Sequence, residues 1–344
     1  MNPGLLVRFR PVGPWRFGSD SGARDRLDRI YHSDTLYSAV SNAMERIGRL
    51  QAWLEATVGN PAGPAVRFSS CFPCQGEVNF VAPPRSIWPP PPSTRLRSKG
   101  ARFVPLTLVA ALLAEEPLDE DGWSVDGPSE CLMPETQSGP FQPAVRSHAA
   151  VDRLSGNIQE HSTACLEFAP GAGLWAVAAF AGEQARESWS GPVQTALRLL
   201  ADSGFGGKRS LGWGRSEMPE FFEGSLPEMI LPQPPRATSP VNGEPAPQAE
   251  SAYWLLSLYS PAAEDGVDWQ RGSYSLVTRG GRVESPARWG QPKKLVRMVS
   301  EGSVVFAGRT PCGAAPDVAP DGFPHPVFRA GFALSIPIPW RAVS

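Results

Sequence analysis

The sequence predicts an α+β chain of two ferredoxin-like (RRM-like) domains, the first carrying a long insertion and the second degenerate and strand-rich. Three observations predict it. The chain has 344 residues, more than one hydrophobic core usually organises. Glycine and proline number 34 and 38 while 41% of the chain is hydrophobic, which suits short strands joined by tight loops rather than a helical bundle or a disordered chain. The hydrophobic period also switches between 2 and 3.6 in the order strand, helix, strand, insertion, strand, helix, strand, which is the β-α-β-β-α-β order.

Leu5, Val7 and Phe9 alternate with Leu6, Arg8 and Arg10, so the chain opens on a strand with one basic face. Leu36, Val40, Ala43, Met44, Ile47 and Leu54 fall at helical spacing behind Ser33 as N-cap, predicting one helix that ends before Gly59-Asn60-Pro61. Val66 to Phe72 alternates as a second strand, and the prolines at 83, 84 and 89 to 92 open the insertion. Ala144 to Leu154 and Thr163 to Phe168 read as a hairpin about Ser155-Gly156-Asn157, followed by a strand over Leu174 to Phe180. Val193, Ala196, Leu197 and Leu200 give a second helix closed by Gly204, and Met218 to Phe222 a further strand. The first domain therefore covers residues 1–226, with the insertion at about 81–170. Seven prolines between Pro227 and Pro247 mark a linker over 227–250. The second domain, 251–344, offers strands at Tyr253–Tyr259, Tyr274–Thr278, Lys294–Val299, Ser303–Phe306 and Val327–Ile336.

Charge nearly cancels over the whole chain, with 32 Lys and Arg against 34 Asp and Glu, which excludes a polyanion partner held by bulk charge. Locally the signs separate. Arg85, Arg95, Arg97, Lys99 and Arg102 precede an acidic block from Glu115 to Glu135, and seven basic residues between Arg271 and Arg297 face only Glu284. The opening residues lack the pattern of a secretory signal, and the apolar runs Phe103–Ala114 and Leu174–Ala181 fall short of the roughly 20 residues that span a bilayer. A cytoplasmic protein is expected. Five cysteines without framework spacing fit reduced thiols. Cys71-Phe72-Pro73-Cys74 has no second ligand pair, so buried thiols are favoured over zinc, and neither a metal nor another cofactor is expected.

The segment with most chemical content is Gly204-Phe205-Gly206-Gly207-Lys208-Arg209-Ser210-Leu211-Gly212-Trp213-Gly214-Arg215. Its glycines permit positive φ and close approach, so that amide N–H groups can point at phosphate oxygens beside Lys208, Arg209 and Arg215. A mononucleotide P-loop is excluded because that loop precedes a helix, whereas this one follows a helix and enters a strand. A plain glycine turn is the alternative.

With Tyr31-His32-Ser33-Asp34-Thr35-Leu36, this loop resembles the RAMP superfamily of CRISPR effector proteins. Arg146-Ser147-His148-Ala149-Ala150-Val151-Asp152-Arg153-Leu154-Ser155-Gly156, Arg97 to Leu106 and His325-Pro326-Val327-Phe328-Arg329-Ala330-Gly331 sharpen the resemblance to the subunits that cap the crRNA 5′ handle in type III-A (Csm) complexes. The resemblance implies a non-catalytic RNA-binding subunit that holds the 5′ handle and contacts a large polymerase-like subunit and the first backbone RAMP subunit. It also implies a thumb hairpin, for which the region Val81–Phe168 is the natural place. On the amide and cation argument, Gly206, Gly207, Lys208, Arg209, Ser210, Gly212 and Arg215 are the first candidates for handle contacts. Ser33 and Thr35 follow, because a helix N-terminus presents free N–H groups to a phosphate. Arg146, His148 and Arg153 would stack on or bond splayed bases, and Trp213 and Trp88 would stack. Relatives within the superfamily cut repeat RNA with a histidine, which raises His32 and His148 as acid–base candidates. No Tyr, Ser or Lys constellation singles out either one, so an endoribonuclease and the equivalent subunit of a Cmr-like complex stand as alternatives.

Overall fold

Residues on both sides of the opening strand are apolar, and both sides are used. The computed structural model describes residues 2–18, 27–90, 100–116, 118–151, 157–232, 251–285, 287 and 290–339. Strand β1 (Asn2–Phe9) turns Leu5, Val7 and Phe9 toward helices α1 (Ser33–Arg46), α2 (Leu50–Thr57) and α4 (Glu183–Ser203). Strand β10 (Ala172–Phe180) does the same with Leu174, Ala176, Ala178 and Phe180, and these side chains close one core with Leu36, Val40, Met44, Trp53, Val193 and Leu197. The alternate residues Leu6, Trp175, Val177 and Ala179 face away from the helices into a second core.

The first sheet is antiparallel throughout. β1 lies between β10 and β11 (Glu220–Leu226), with Leu6 opposite both Val177 and Phe222. The far side of β10 pairs with β2 (Val66–Phe68) and β3 (Phe72–Gln75), and the sheet continues through β4 (Val78–Val81) to β5 (Val104–Pro105). The strand expected over Val66–Phe72 is thus broken. Ser69 donates its N–H to Val177 (2.9 Å) and takes the Val177 N–H on Oγ (2.8 Å), while the Ser70 N–H leaves the sheet for Leu256 (2.9 Å).

Leu256 belongs to the layer that covers the second face. There β12 (Ser251–Leu255), β13 (Asp268–Ser273), β16 (Val304–Ala307) and β17 (Ser335–Ile338) form a sheet of order β13-β16-β12-β17. Its Ala252, Trp254, Val304, Phe306, Ile336 and Ile338 share the second core with Leu6, Trp175 and Val177, and the Trp254 indole N–H donates to the Ala82 carbonyl (3.0 Å). The opposite side chains, Tyr253, Leu255, Val305 and Ala307, make a third cluster with Tyr259 and Val299, beside an arm formed by β14 (Leu276–Arg279) and β15 (Val296–Val299).

The α+β class is borne out, and several details differ. Among the described residues of 251–339 the only helical stretch is the three-residue turn Ala263–Asp265, so the helices of a ferredoxin-like second domain are absent there. The strand-rich part of that expectation holds. The single helix from Ser33 is two, because Gly48 takes φ +72° and the Arg49 N–H turns back to Met44 (2.8 Å). Its N-cap is His32, with Ser33 already helical. The second helix begins ten residues before Val193, carrying Pro192 inside it. The insertion holds an unforeseen helix α3 (Leu106–Leu113) and a hairpin of β6 (Trp123–Asp126) with β7 (Cys131–Pro134). It also holds the foreseen hairpin of β8 (Phe141–Val151) with β9 (Ile158–Phe168), in register Ser147 to Ser162. Most of the linker, 233–250, lies outside the described residues. Among the described residues no helix is long and apolar enough to cross a membrane. Cys71 and Cys74 are buried in the cores on opposite faces of the first sheet, which separates the two thiols, and burial raises both pKa values, that of Cys74 to about 11.

Because both sheets share one core, they should unfold together. Trp254→Ala, removing a wholly buried ring, is expected to cost about 3–5 kcal/mol. In urea, tryptophan fluorescence and far-ultraviolet dichroism should shift together in a single transition. Two separated transitions would show that the layers stand independently.

Candidate nucleic-acid interface

Helix α4 stops at Ser203, and the glycine-rich segment then folds back on its own chain. The Phe205 N–H donates to Gly214 (3.3 Å), the Gly214 N–H to Pro14 (3.0 Å) and the Gly207 N–H to Arg16 (2.9 Å). Phe205 plugs the first core between Phe9, Trp15 and Tyr31, with centroids 5.2, 4.6 and 5.1 Å away. This closure is what demands the glycines. A Cβ on Gly206 (φ +85°) would lie 2.7 Å from the Arg16 carbonyl oxygen, and one on Gly214 (φ +82°) 2.0 Å from that of Phe205. The expectation that glycines clear space for a ligand is corrected at these positions: they clear space for the protein's own backbone.

The outer turn is the more exposed part of the segment. Lys208 takes φ +64°, and a 3-10 turn over Arg209–Leu211 follows, closed by Leu211 N–H to Lys208 and Gly212 N–H to Arg209, both 2.9 Å. The three consecutive amides of Lys208, Arg209 and Ser210 make no backbone hydrogen bond among the described residues. Consecutive N–H groups in such a turn form an anion-binding concavity. Lys208 is half-buried, Ser210 and Gly212 are exposed, and Arg209 is ion-paired with Glu284. Arg215 donates to the Asp202 carbonyl (2.7 Å) and carboxylate (3.3 Å).

The β8–β9 hairpin lies beside this segment. Trp213, 6% exposed, has its ring 5.8 Å from that of His148, and the Arg16 guanidinium donates to Ala164 (2.7 Å). Arg146 is exposed and paired with Glu167. Gly206, Gly207, Lys208, Arg209, Ser210, Gly212, Trp213, Arg215, Arg146 and His148 are thus brought to one region, but Trp213 is covered by His148 rather than open. Arg153 and its neighbour Asp152 lie outside the described residues, as do Arg95, Arg97 and Lys99. Trp88 is half-buried against the second core.

The start of α1 is placed differently from the expectation. The buried Ser33 takes the Leu258 N–H on Oγ (3.0 Å) and donates its own N–H to Ser70 (2.9 Å). Thr35 Oγ1 donates to Asp34 (3.1 Å) and accepts from Arg279 (3.0 Å). Neither side chain is left for a phosphate, because the protein fills this helix end itself. The fully buried Asp34 carboxylate accepts from Arg279 at 3.1 and 3.0 Å and from Arg329. Burial alone would raise its pKa, yet the two guanidinium groups hold it well below the ordinary carboxylate range. Next to it, the His32 imidazole lies between Glu301 (2.7 Å) and Asp28 (3.0 Å). Burial would lower the His32 pKa, but the carboxylates outweigh it and raise it to about 9. Asp28 and Glu301 are depressed in return by the imidazolium.

Sequence reasoning passed over Asp28, Asp34, Arg279, Glu301 and Arg329 as individuals. Asp34 and Arg329 did stand in the quoted segments Tyr31–Leu36 and His325–Gly331, which meet here. Residues 295 positions apart leave no local pattern that pairs them.

Residues 248–338 match the family model for the CRISPR Csm4 C-terminal domain. The chain is 24% identical over 267 residues to the CRISPR system Cms protein Csm4 of Thermococcus onnurineus (strain NA1), covering 73% of this chain and 78% of that protein. Among solved structures, a Csm1-Csm4 cassette in complex with cA4 is similar at TM-score 0.58 and 18% identity, with 99% of both chains covered. A Csm3-Csm4 subcomplex of the type III-A CRISPR-Cas interference complex is similar at TM-score 0.62 and 16% identity, covering 98% of this chain and 100% of that one. The resemblance read from the motifs is borne out.

Two expectations arise from the site itself. Since the folded His32 pKa lies above the unfolded value of about 6.5, its stabilisation is present below that pH and is lost as pH rises toward 9. The loss is about 3 kcal/mol. The depressed carboxylates act at the other end, their contribution vanishing as pH falls below about 4. Stability to urea should fall between pH 6.5 and 8 in the native chain, below the range in which the buried thiols begin to titrate on unfolding, whereas His32→Gln should be less stable and nearly flat there; an equal slope in both would contradict the assignment. In the loop, Gly214→Ala should cost about 3 kcal/mol from clash and strain together. Gly212→Ala has open space beyond its Cβ and should cost about 1 kcal/mol, so equal midpoints for the two would refute the close-approach argument.

Proposed function

We propose that this chain is the non-catalytic RNA-binding subunit of a type III-A CRISPR effector complex and holds the 5′ handle of the guide RNA on its glycine-rich loop. The observation that carries the reading is the run of three unclosed amides at Lys208, Arg209 and Ser210. Two of these three residues are themselves cations, and a long exposed hairpin bearing Arg146 and His148 meets the same segment at Trp213. Amides and cations together bind backbone phosphate, and an exposed ribbon beside them suits splayed single-stranded bases. The order β11-β1-β10 followed by β2 and β3, with α1 and α4 on one face, supports a ferredoxin-like unit for the N-terminal part, and β8–β9 is our candidate thumb. By likeness to the Csm1-Csm4 and Csm3-Csm4 assemblies, the protein partners are a large polymerase-like subunit and a backbone RAMP subunit. His32 supports the non-catalytic reading, because it is buried and committed to two carboxylates.

The test is binding of a handle-sequence RNA oligonucleotide to the full chain, followed by fluorescence anisotropy over a salt series. Lys208→Glu with Arg215→Glu should weaken binding about tenfold or more. It should also flatten the log–log salt slope by about 0.7 per lost contact. Unchanged affinity and slope would sink the reading, and metal-independent scission of a repeat transcript by the isolated chain would replace it with an endoribonuclease.

A further inference from the structure

The basic stretch between Arg271 and Arg297 is mostly accounted for by contacts within the protein. Arg271 lies over the Phe306 ring at 4.5 Å, Arg279 is on Asp34, Arg282 donates to the Gly290 carbonyl (2.6 Å) and Lys294 meets Asp321 (2.8 Å). Lys293 differs. It is half-buried, and its ammonium makes no hydrogen bond or ion pair among the described residues. Burial and then the like charge of Arg329 push its pKa below the ordinary lysine value, while Asp34 and Glu284 act in the other direction. A desolvated cation without a bound partner is an unfavourable arrangement in a free chain and a favourable one beside a bound anion.

Glu284 lies on the facing side of the same arm, where the Lys293 N–H donates to Gly281 and the Val283 N–H to Gln291, both at 2.8 Å. Its carboxylate leaves the arm and pairs with Arg209 on the glycine-rich loop. One carboxylate therefore sits between a guanidinium from the loop and the arm that carries an unpaired ammonium. A carboxylate and a phosphodiester present the same pair of anionic oxygens to a guanidinium.

We propose that Glu284 occupies a phosphate seat shared by Arg209 of the glycine-rich loop and Lys293 of the C-terminal arm, and that a backbone phosphate of the bound RNA displaces it. The seat extends the RNA surface from the loop to the arm and so makes the two sheet layers into a clamp. Displacement is cheap because both side chains of the Arg209–Glu284 pair are a third or more exposed, at 33% and 43%, and such pairs contribute little. Glu284 can move into solvent, whereas the phosphate gains Arg209, Lys293 and the neighbouring amides together. This inference rests on the handle-binding reading.

The same anisotropy measurement tests it on the full chain, with thermal melting of each variant as the check on folding. Glu284→Gln should tighten RNA binding by about threefold, the scale of one exposed pair, and Lys293→Gln should weaken it by about fivefold or more. In the Arg209→Gln background the gain from Glu284→Gln should vanish, because no guanidinium remains to be released. Glu284→Gln without effect, or a gain that persists without Arg209, overturns the shared seat. If those results come while Lys208→Glu with Arg215→Glu still weakens binding, only this inference fails; if the loop variants are silent as well, the handle reading fails with it.

Discussion

The Asp34 carboxylate, buried and gripped by Arg279 and Arg329, fixes the position of most of what surrounds the loop. A buried ion cluster contributes little net stability, because desolvation offsets its attraction, yet removing one member costs several kcal/mol. Its effect is therefore on placement. It locks the first turn of α1 against the C-terminal arm, with Ser33 and Ser70 carrying neutral bonds across the same seam. From there the constraint passes outward. The turn before α1 fixes Tyr31, Tyr31 packs on Phe205, and Phe205 anchors the glycine-rich segment whose outer turn carries the open amides.

The same seam explains why the two sheets form one body. β10 is buried over its whole length, with one row of side chains under the helices and the other under the second sheet. A strand covered on both faces loses the polar alternation of an amphipathic strand and reads as a continuous apolar run, as Leu174 to Phe180 does. β1 shows an intermediate case. Leu6 is covered, whereas Arg8 and Arg10 of the same row reach the rim and meet Glu77 and Glu220.

Local pattern made the first layer legible and left the connections between layers invisible. The period of Leu5, Val7 and Phe9, the spacing of Leu36, Val40, Ala43 and Met44, and the β8–β9 hairpin were all readable because each depends on neighbours in sequence. Errors arose where a local signal had two meanings. The spacing of Val193, Ala196, Leu197 and Leu200 marks only the later half of α4, which runs from Glu183 through Pro192, with Trp189 already packed in the core. Leu106 to Leu113 is apolar at every position but Thr107, so no stripe announces α3. The glycine-rich segment was recognisable, but the closeness of Arg16 and Phe205 that dictates its glycines comes from tertiary contact. Asp34 with Arg329, and His32 with Glu301, join residues hundreds of positions apart, and nothing in either neighbourhood encodes the partner.

A chain with a net charge of −2 can still present a polyanion site if its cations differ in how they are held. Around the proposed interface the guanidinium groups are already paired: Arg209 with Glu284, Arg215 with Asp202, Arg146 with Glu167. The ammonium groups of Lys208 and Lys293 carry no ion pair among the described residues. Exposed pairs are worth about 1 kcal/mol or less, so each arginine can trade its carboxylate for a phosphate at small cost, keeping the planar two-point geometry that lysine lacks. Exchange of that kind is nearly neutral in energy but strict in geometry, so the arginines set where a strand fits rather than how tightly it is held. Net attraction must then come from groups that gain a partner they did not have, which are the two lysines and the amides of residues 208–210. Binding of this type depends on a strand that meets several of these groups at once, so an isolated small anion would be held weakly while a backbone of regularly spaced phosphates would be held well.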